Sequence, residues 1–357
     1  MSLLRLPPET LKQIFDHIGS SFFREDLRRL TVCKQWLEFA RPVCFKYTAL
    51  SQETLGILVS REGMKLPSPL KDSLETLVLE LEGYQAWISI IWAREYAKKS
   101  NVSKTIALNE AVRSYSVNSW IKVLDNDLAQ LAIMAQEFRR LRILRIRAWN
   151  APSRFILDMP EDCLSLPTMQ ALLSLENLNV LVLDLSVNFL ISSGEQGDNS
   201  HICPAIGTLL HTLRTLHLRM RSICPDVLKP RYPNDRLCLS VAVINLNLTM
   251  HQPGIASAAH SIRCGPLSGE ILQLKEDIRE QAEALVSRMA SPKLIRILSH
   301  APRSFETESL DVLTGKTMIL DDDMEWDEDG KTVKEEDSEP ESDILDDDEF
   351  AAYLDEE

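Results

Sequence analysis

No apolar run in this chain approaches the ~18 residues that a membrane-spanning helix needs. Its first residues also lack the basic-then-apolar pattern of a cleavable leader. The reading is of a soluble intracellular chain, cytoplasmic or nuclear, with no membrane partner. The seven cysteines (Cys33, Cys44, Cys163, Cys203, Cys224, Cys238 and Cys264) are odd in number and scattered, with no C-x-x-C pair. Such spacing suits neither a disulfide framework nor a zinc motif, so buried thiols in a reducing compartment are expected, and no metal. The seven histidines form no H-x-H or H-x-x-x-H set. "TGKT" at 314–317 ends like a phosphate-binding loop, but position 310 is Leu310 where that loop needs glycine. A turn between two short strands is expected there instead. Nothing resembles a strained nucleophile elbow, and the carboxylates gather in a tail with no rigid scaffold to tune them. Neither a catalyst nor a cofactor is expected.

Acidity is missing from most of the chain. The stretch Asp321–Glu357 holds 20 acidic and 2 basic side chains, a net of −18, which leaves the other 320 residues at +4. The body is near neutral and has no basic cluster, so no nucleic-acid partner is expected.

What is present falls into three parts. Over residues 1–50, Pro7 and Pro8 open a helix, where a missing N–H costs nothing. Leu11, Ile14, Phe15 and Ile18 follow helical spacing, and Gly19 ends the run. "SSFFRE" reads as a loop, its phenylalanines available to pack on the next domain. A second helix carries Leu27, Leu30 and Val32, and a third carries Trp36, Leu37 and Ala40 and stops before Pro42.

Over 51–318, segments of the form L-x-x-L-x-L recur. They are "LETLVL" from Leu74, "LRILRI" from Leu141, "LNVLVL" from Leu178, "LRTLHL" from Leu213 and "VINLNL" from Val243. The starts are 67, 37, 35 and 30 residues apart. A weak copy, "SKTIAL" from Ser103, lies inside the long gap, and a worn last one is "LIRILS" from Leu294. Helix-like stretches such as "QAWISIIWAREYAKKS", "NDLAQLAIMAQEF", "LPTMQALLSL" and "PAIGTLLHTL" separate them. Strand-plus-helix units at near-constant spacing predict an α/β solenoid, since one unit alone cannot bury its apolar face. A long amphipathic helix over about 268–290, with Ser268 as N-cap, would close the stack. From 319 to 357 the like charges predict a disordered acidic tail.

The first part resembles the F-box. The resemblance rests on Leu6-Pro7-Pro8-Glu9, the Ile14-Phe15 pair, Asp26-Leu27 and the "VCKQW" block of Val32 to Trp36, about 45 of 357 residues. The body is similar to leucine-rich repeats, and the layout resembles F-box proteins of filamentous fungi. The resemblance implies a three-helix module docked on the Skp-type adaptor of a cullin–RING ubiquitin ligase. Leu6, Pro7, Ile14, Leu27, Leu30, Val32, Cys33 and Trp36 are then candidates for contacting the adaptor or for shaping the contact. It also implies a substrate-recognition subunit, with an unknown protein target held on the concave face. An interaction scaffold outside any ligase is the alternative.

In such repeats the residues between the inward leucines face the concave surface: Thr76, Val78 and Glu80; Ile143, Arg145 and Arg147; Val180, Val182 and Asp184; Thr215, His217 and Arg219. Arg145, Arg147, His217 and Arg219 are the candidates for an acidic or phosphorylated target. A solvated face without a ligand, or one that holds the chain's own acidic tail, fits the same residues. The repeats depart from the pattern where asparagine is expected, which here is Glu82, Trp149, Ser186 or Arg221.

Overall fold

The computed structural model describes residues 5–60, 68–82, 110–149, 163–185, 189–191, 201–232, 235–248, 260–265, 271–300, 306–321 and 324–332. Among them are eight α-helices and a large, mostly parallel sheet that does not close into a barrel. No described helix is long and apolar enough to cross a membrane.

The chain starts with α1 (Pro8–Glu25), a 3-10 turn (Leu27–Leu30) and α2 (Lys34–Cys44). Gly19 sits at φ 81° and breaks α1 without ending it, so "SSFFRE" is a further helical run and not the expected loop. The expected second helix is only the 3-10 turn, opened by the Asp26 carboxylate accepting from the Arg28 N–H at 2.9 Å. The third passes through Pro42 into its last turn, where a missing donor removes one backbone bond. Leu11, Phe15, Phe23, Ala40, Val43 and Cys44 form a closed core. Phe23 stacks on Phe15 at 5.8 Å, so this aromatic belongs to the module's own core and not to an interface with the rest of the chain.

The body follows as β1 (Tyr47–Ser51), α3 (Gln52–Ser60), α4 (Ser68–Ser73), β2 (Thr76–Glu82), α5 (Glu110–Ala135), β3 (Ile143–Trp149) and β4 (Cys163–Ser165). Next come α6 (Leu166–Leu173), β5 (Val180–Leu185), β6 (Phe189–Ile191), α7 (Cys203–Leu209), β7 (Thr215–Met220), β8 (Ser222–Ile223), β9 (Val241–Asn245) and β10 (Ile262–Arg263). The last elements are α8 (Ile271–Val286), β11 (Leu294–His300), β12 (Thr307–Asp311), β13 (Thr317–Leu320) and β14 (Lys331–Thr332).

The main sheet runs β1-β2-β3-β5-β7-β9-β11 in parallel, then turns antiparallel through β12, β13 and β14. The short pairs β4–β6 and β8–β10 lie apart from it. Four of the leucine motifs begin two residues before their strand; the one from Val243 begins two residues inside β9. "SKTIAL" and "QAWISIIWAREYAKKS" lie outside the described residues. One face of each strand supplies the core: Leu77, Leu79 and Leu81; Leu144 and Ile146; Leu181 and Leu183; Leu216 and Leu218; Ala242 and Ile244; Ile295 and Ile297. These pack with helix residues such as Leu128, Met169, Ile206 and Ile278. The alternation is what a half-buried strand requires.

Three expected boundaries move. Tyr47 to Leu50, placed with the first module, belong to β1, which pairs with β2 and starts the sheet. The closing helix spans Ile271–Val286, and Ser268 lies outside the described residues. The expected tail begins inside β13, and residues 324–332 continue as turns and β14; 322–323 and 333–357 lie outside the described residues. "TGKT" is the β12–β13 turn, with Gly315 at φ 71°.

Candidate functional site

The first module divides the eight candidate residues. Trp36 turns inward: its ring meets Phe15 edge-on at 4.6 Å and its Nε1–H donates to the Arg29 carbonyl at 2.6 Å. Leu30 packs against the same core, and Ile14 is half-buried. Leu6, Leu27 and Val32 are 38%, 61% and 66% exposed, and Pro7, next to Leu6 in the chain, is exposed as well. Cys33 is exposed too, its Sγ accepting from the Trp36 N–H at 3.4 Å as the N-cap of α2. A module that has closed its own core therefore still presents large apolar side chains to solvent.

The second surface is the sheet face opposite the helices. The parallel register puts Val78, Arg145, Val182, His217, Val243 and Arg296 in one row. The next row is Glu80, Arg147, Asp184, Arg219 and Asn245. Charge alternates along Glu80–Arg147–Asp184–Arg219, as strand-to-strand neighbours of opposite sign favour. The Arg219 guanidinium donates both Nε–H and Nη2–H to the Asp184 carboxylate, each at 2.7 Å. Arg147 Nε lies 3.9 Å from the same carboxylate. Arg145 and Arg147 are exposed, whereas Arg219 and His217 are partly covered.

The cover is the chain's own segment 324–329. Arg219 stacks over Trp326 at 4.9 Å, and His217 lies 6.5 Å from that ring and 4.0 Å from the Asp327 carboxylate. Trp326 and Met324 also pack on a small cluster of Val243, Leu298 and Leu320. Arg296, 1% exposed, donates to the Glu328 carbonyl and the Asp329 carboxylate. Burial holds His217 below the ordinary histidine pKa, against the pull of Asp327. Two of the four residues expected to face a target are thus occupied by the acidic segment. Arg296, which the repeat pattern did not single out, is its third basic contact.

Away from both surfaces, one group of donor atoms could hold a metal. His201, Cys203, Cys224 and Cys264 bring their ligand atoms within 4.8 Å of one another. Sequence spacing pointed away from any Cys/His cluster, because these residues converge from three separate segments. The one local signal is the pair His201 and Cys203, two residues apart. Of the other thiols, Cys44 is buried as expected, but Cys33 and Cys238 are exposed.

A scan against protein-family models matches none of them, and no curated protein matches the chain.

Proposed function

We propose that the first module is an F-box docking on a Skp-type adaptor, and that the body is a leucine-rich-repeat solenoid that presents a protein target. The chain would then be the non-catalytic substrate-recognition subunit of a Skp–cullin–F-box ubiquitin ligase. It would contribute proximity, while the chemistry is supplied by the charged enzyme. The observation that carries this reading is the exposure of Leu6, Leu27 and Val32 on a module whose core is already closed. All three lie in the motif stretches that resemble an F-box. Strands that follow one another in chain order across a parallel sheet support the repeat half of the reading. On its open face, Arg145 and Arg147 are the basic residues left exposed for a target.

The test is capture of a purified Skp-type adaptor by the full chain. Leu27→Asp and Val32→Asp change exposed side chains, so the fold should survive while capture is lost. Capture that persists in the double variant would sink the F-box assignment. A complex that holds the adaptor but never a cullin would favour the interaction scaffold.

A further inference from the structure

We propose that His201, Cys203, Cys224 and Cys264 form a structural zinc site that clamps three segments on the helix side of the sheet. His201 and Cys203 stand at the start of α7, Cys224 follows β8, and Cys264 follows β10. The strands β8 and β10 pair over only two residues each, so the backbone alone joins these segments weakly.

The distances fit a metal better than a disulfide. Cys203 and Cys264 sulfurs are 3.7 Å apart, far beyond the ~2.05 Å of an S–S bond. With a Zn–S bond of about 2.3 Å, two sulfurs of a tetrahedral site lie about 3.8 Å apart. Cys224 Sγ lies 3.8 Å from His201 Nδ1, and a zinc site with Zn–N near 2.0–2.1 Å puts sulfur and nitrogen about 3.6 Å apart. Four protein ligands leave no open position, which marks a structural rather than a catalytic site. Three sulfurs and an imidazole are also a donor set that suits Zn²⁺ over Mg²⁺ or Ca²⁺.

The surroundings support it. Cys203 is fully buried and Cys224 nearly so, within the main apolar core. The Asp226 carboxylate lies 3.9 Å from His201 Nε2, the place of the acidic partner that orients a metal-bound imidazole.

Packing holds the donors in position. A side chain at Gly207 would lie 2.6 Å from the Lys229 carbonyl and 2.7 Å from the Asp226 carbonyl, so only glycine lets α7 approach the turn after Cys224. Arg263, beside Cys264, is paired with Asp277 of α8.

Full-length protein purified without chelator should carry about one zinc per chain by elemental analysis. Cobalt exchanged into it should give the intense visible bands of a tetrahedral thiolate site. Cys224→Ser and Cys264→Ser should lose the metal, whereas Cys238→Ser, outside the cluster, should keep it. If those variants fail to fold, the wild-type chain still decides: chelation should lower its melting temperature and open three more thiols to a disulfide reagent. A metal-free wild-type chain, or a Cys203–Cys264 disulfide found by peptide mapping, would overturn the proposal.

Discussion

Replacing Arg219 with alanine is expected to destabilise the protein by about 2–3 kcal/mol, well above the ~0.2–1 kcal/mol of an exposed ion pair. The Asp184 side chain is 8% exposed and accepts both donors of Arg219, which is itself 22% exposed. Stripping a buried carboxylate of its partner costs about 3–5 kcal/mol when nothing replaces it. Here Arg147, 60% exposed and 3.9 Å away, can move in, which lowers the figure. Loss of the Arg219 stack on Trp326 returns about 0.5–1 kcal/mol to it. Asp184→Ala should cost less, about 1–2 kcal/mol, because the arginines it leaves can rehydrate. The double variant should then recover about 1.5–2 kcal/mol relative to the sum of the singles. Urea titration of the four proteins at neutral pH measures this coupling. It should change little between low and high salt, since the pair is largely shielded from solvent. A coupling below about 0.5 kcal/mol, or one abolished by salt, would show Arg219 to be an ordinary surface charge. The premise that it is committed to the sheet would then fail.

Phe15→Ala should cost about 3–5 kcal/mol, because the ring is fully buried among Phe23, Trp36 and Phe39. Hydrogen exchange should show α1 and α2 losing protection while the β3, β5 and β7 amides keep theirs; equal loss throughout would refute separate folding of the first module. Ending the chain at Leu320 uncovers His217 but also takes away Asp327 and Glu325, which pull its pKa up. Because burial is the larger effect, the histidine should titrate at a higher pH by NMR, and a fall would refute the cover by Trp326 as the main cause of its present shift. His217 and His260 both have native pKa values lowered chiefly by burial, with the neighbouring His300 adding to the effect at His260. The unfolded chain therefore binds more protons below about pH 6.5, and this share of stability, present above that pH, is lost as pH falls through the native values. The urea midpoint should drop between pH 7.5 and 5.5, and an unchanged or rising midpoint would refute it.

How much of this was legible in the sequence depended on how local each signal is. The strands of the sheet announced themselves because Leu-x-Leu alternation is decided within six residues. The rows across its open face followed once strands were taken in chain order. Boundaries failed where a neighbour overrides local preference. Gly19 ends a helix by propensity, yet packing of Phe23 on Phe15 draws the following residues back into helical form. Tyr47–Ser51 has no leucine motif, and its strand is decided by pairing with β2. Charge alone made the tail look disordered from 319, but Met318 and Leu320 alternate in β13, and Trp326 has basic and apolar partners to rest on. The sites follow the same rule. Trp36 could not be told from a contact residue until its indole N–H was seen to reach the Arg29 carbonyl. The sulfur cluster was furthest from view. Its cysteines at 203, 224 and 264 lie 21 and 40 residues apart, and no spacing rule for contiguous motifs spans such gaps. In a parallel sheet whose strands follow chain order, segments far apart in sequence become neighbours, so ligands from separate strand-and-helix stretches come as close as ligands in one loop. A scattered, odd set of cysteines in such a chain is therefore better tested by ordering the strands first and asking which thiols then fall on neighbouring segments.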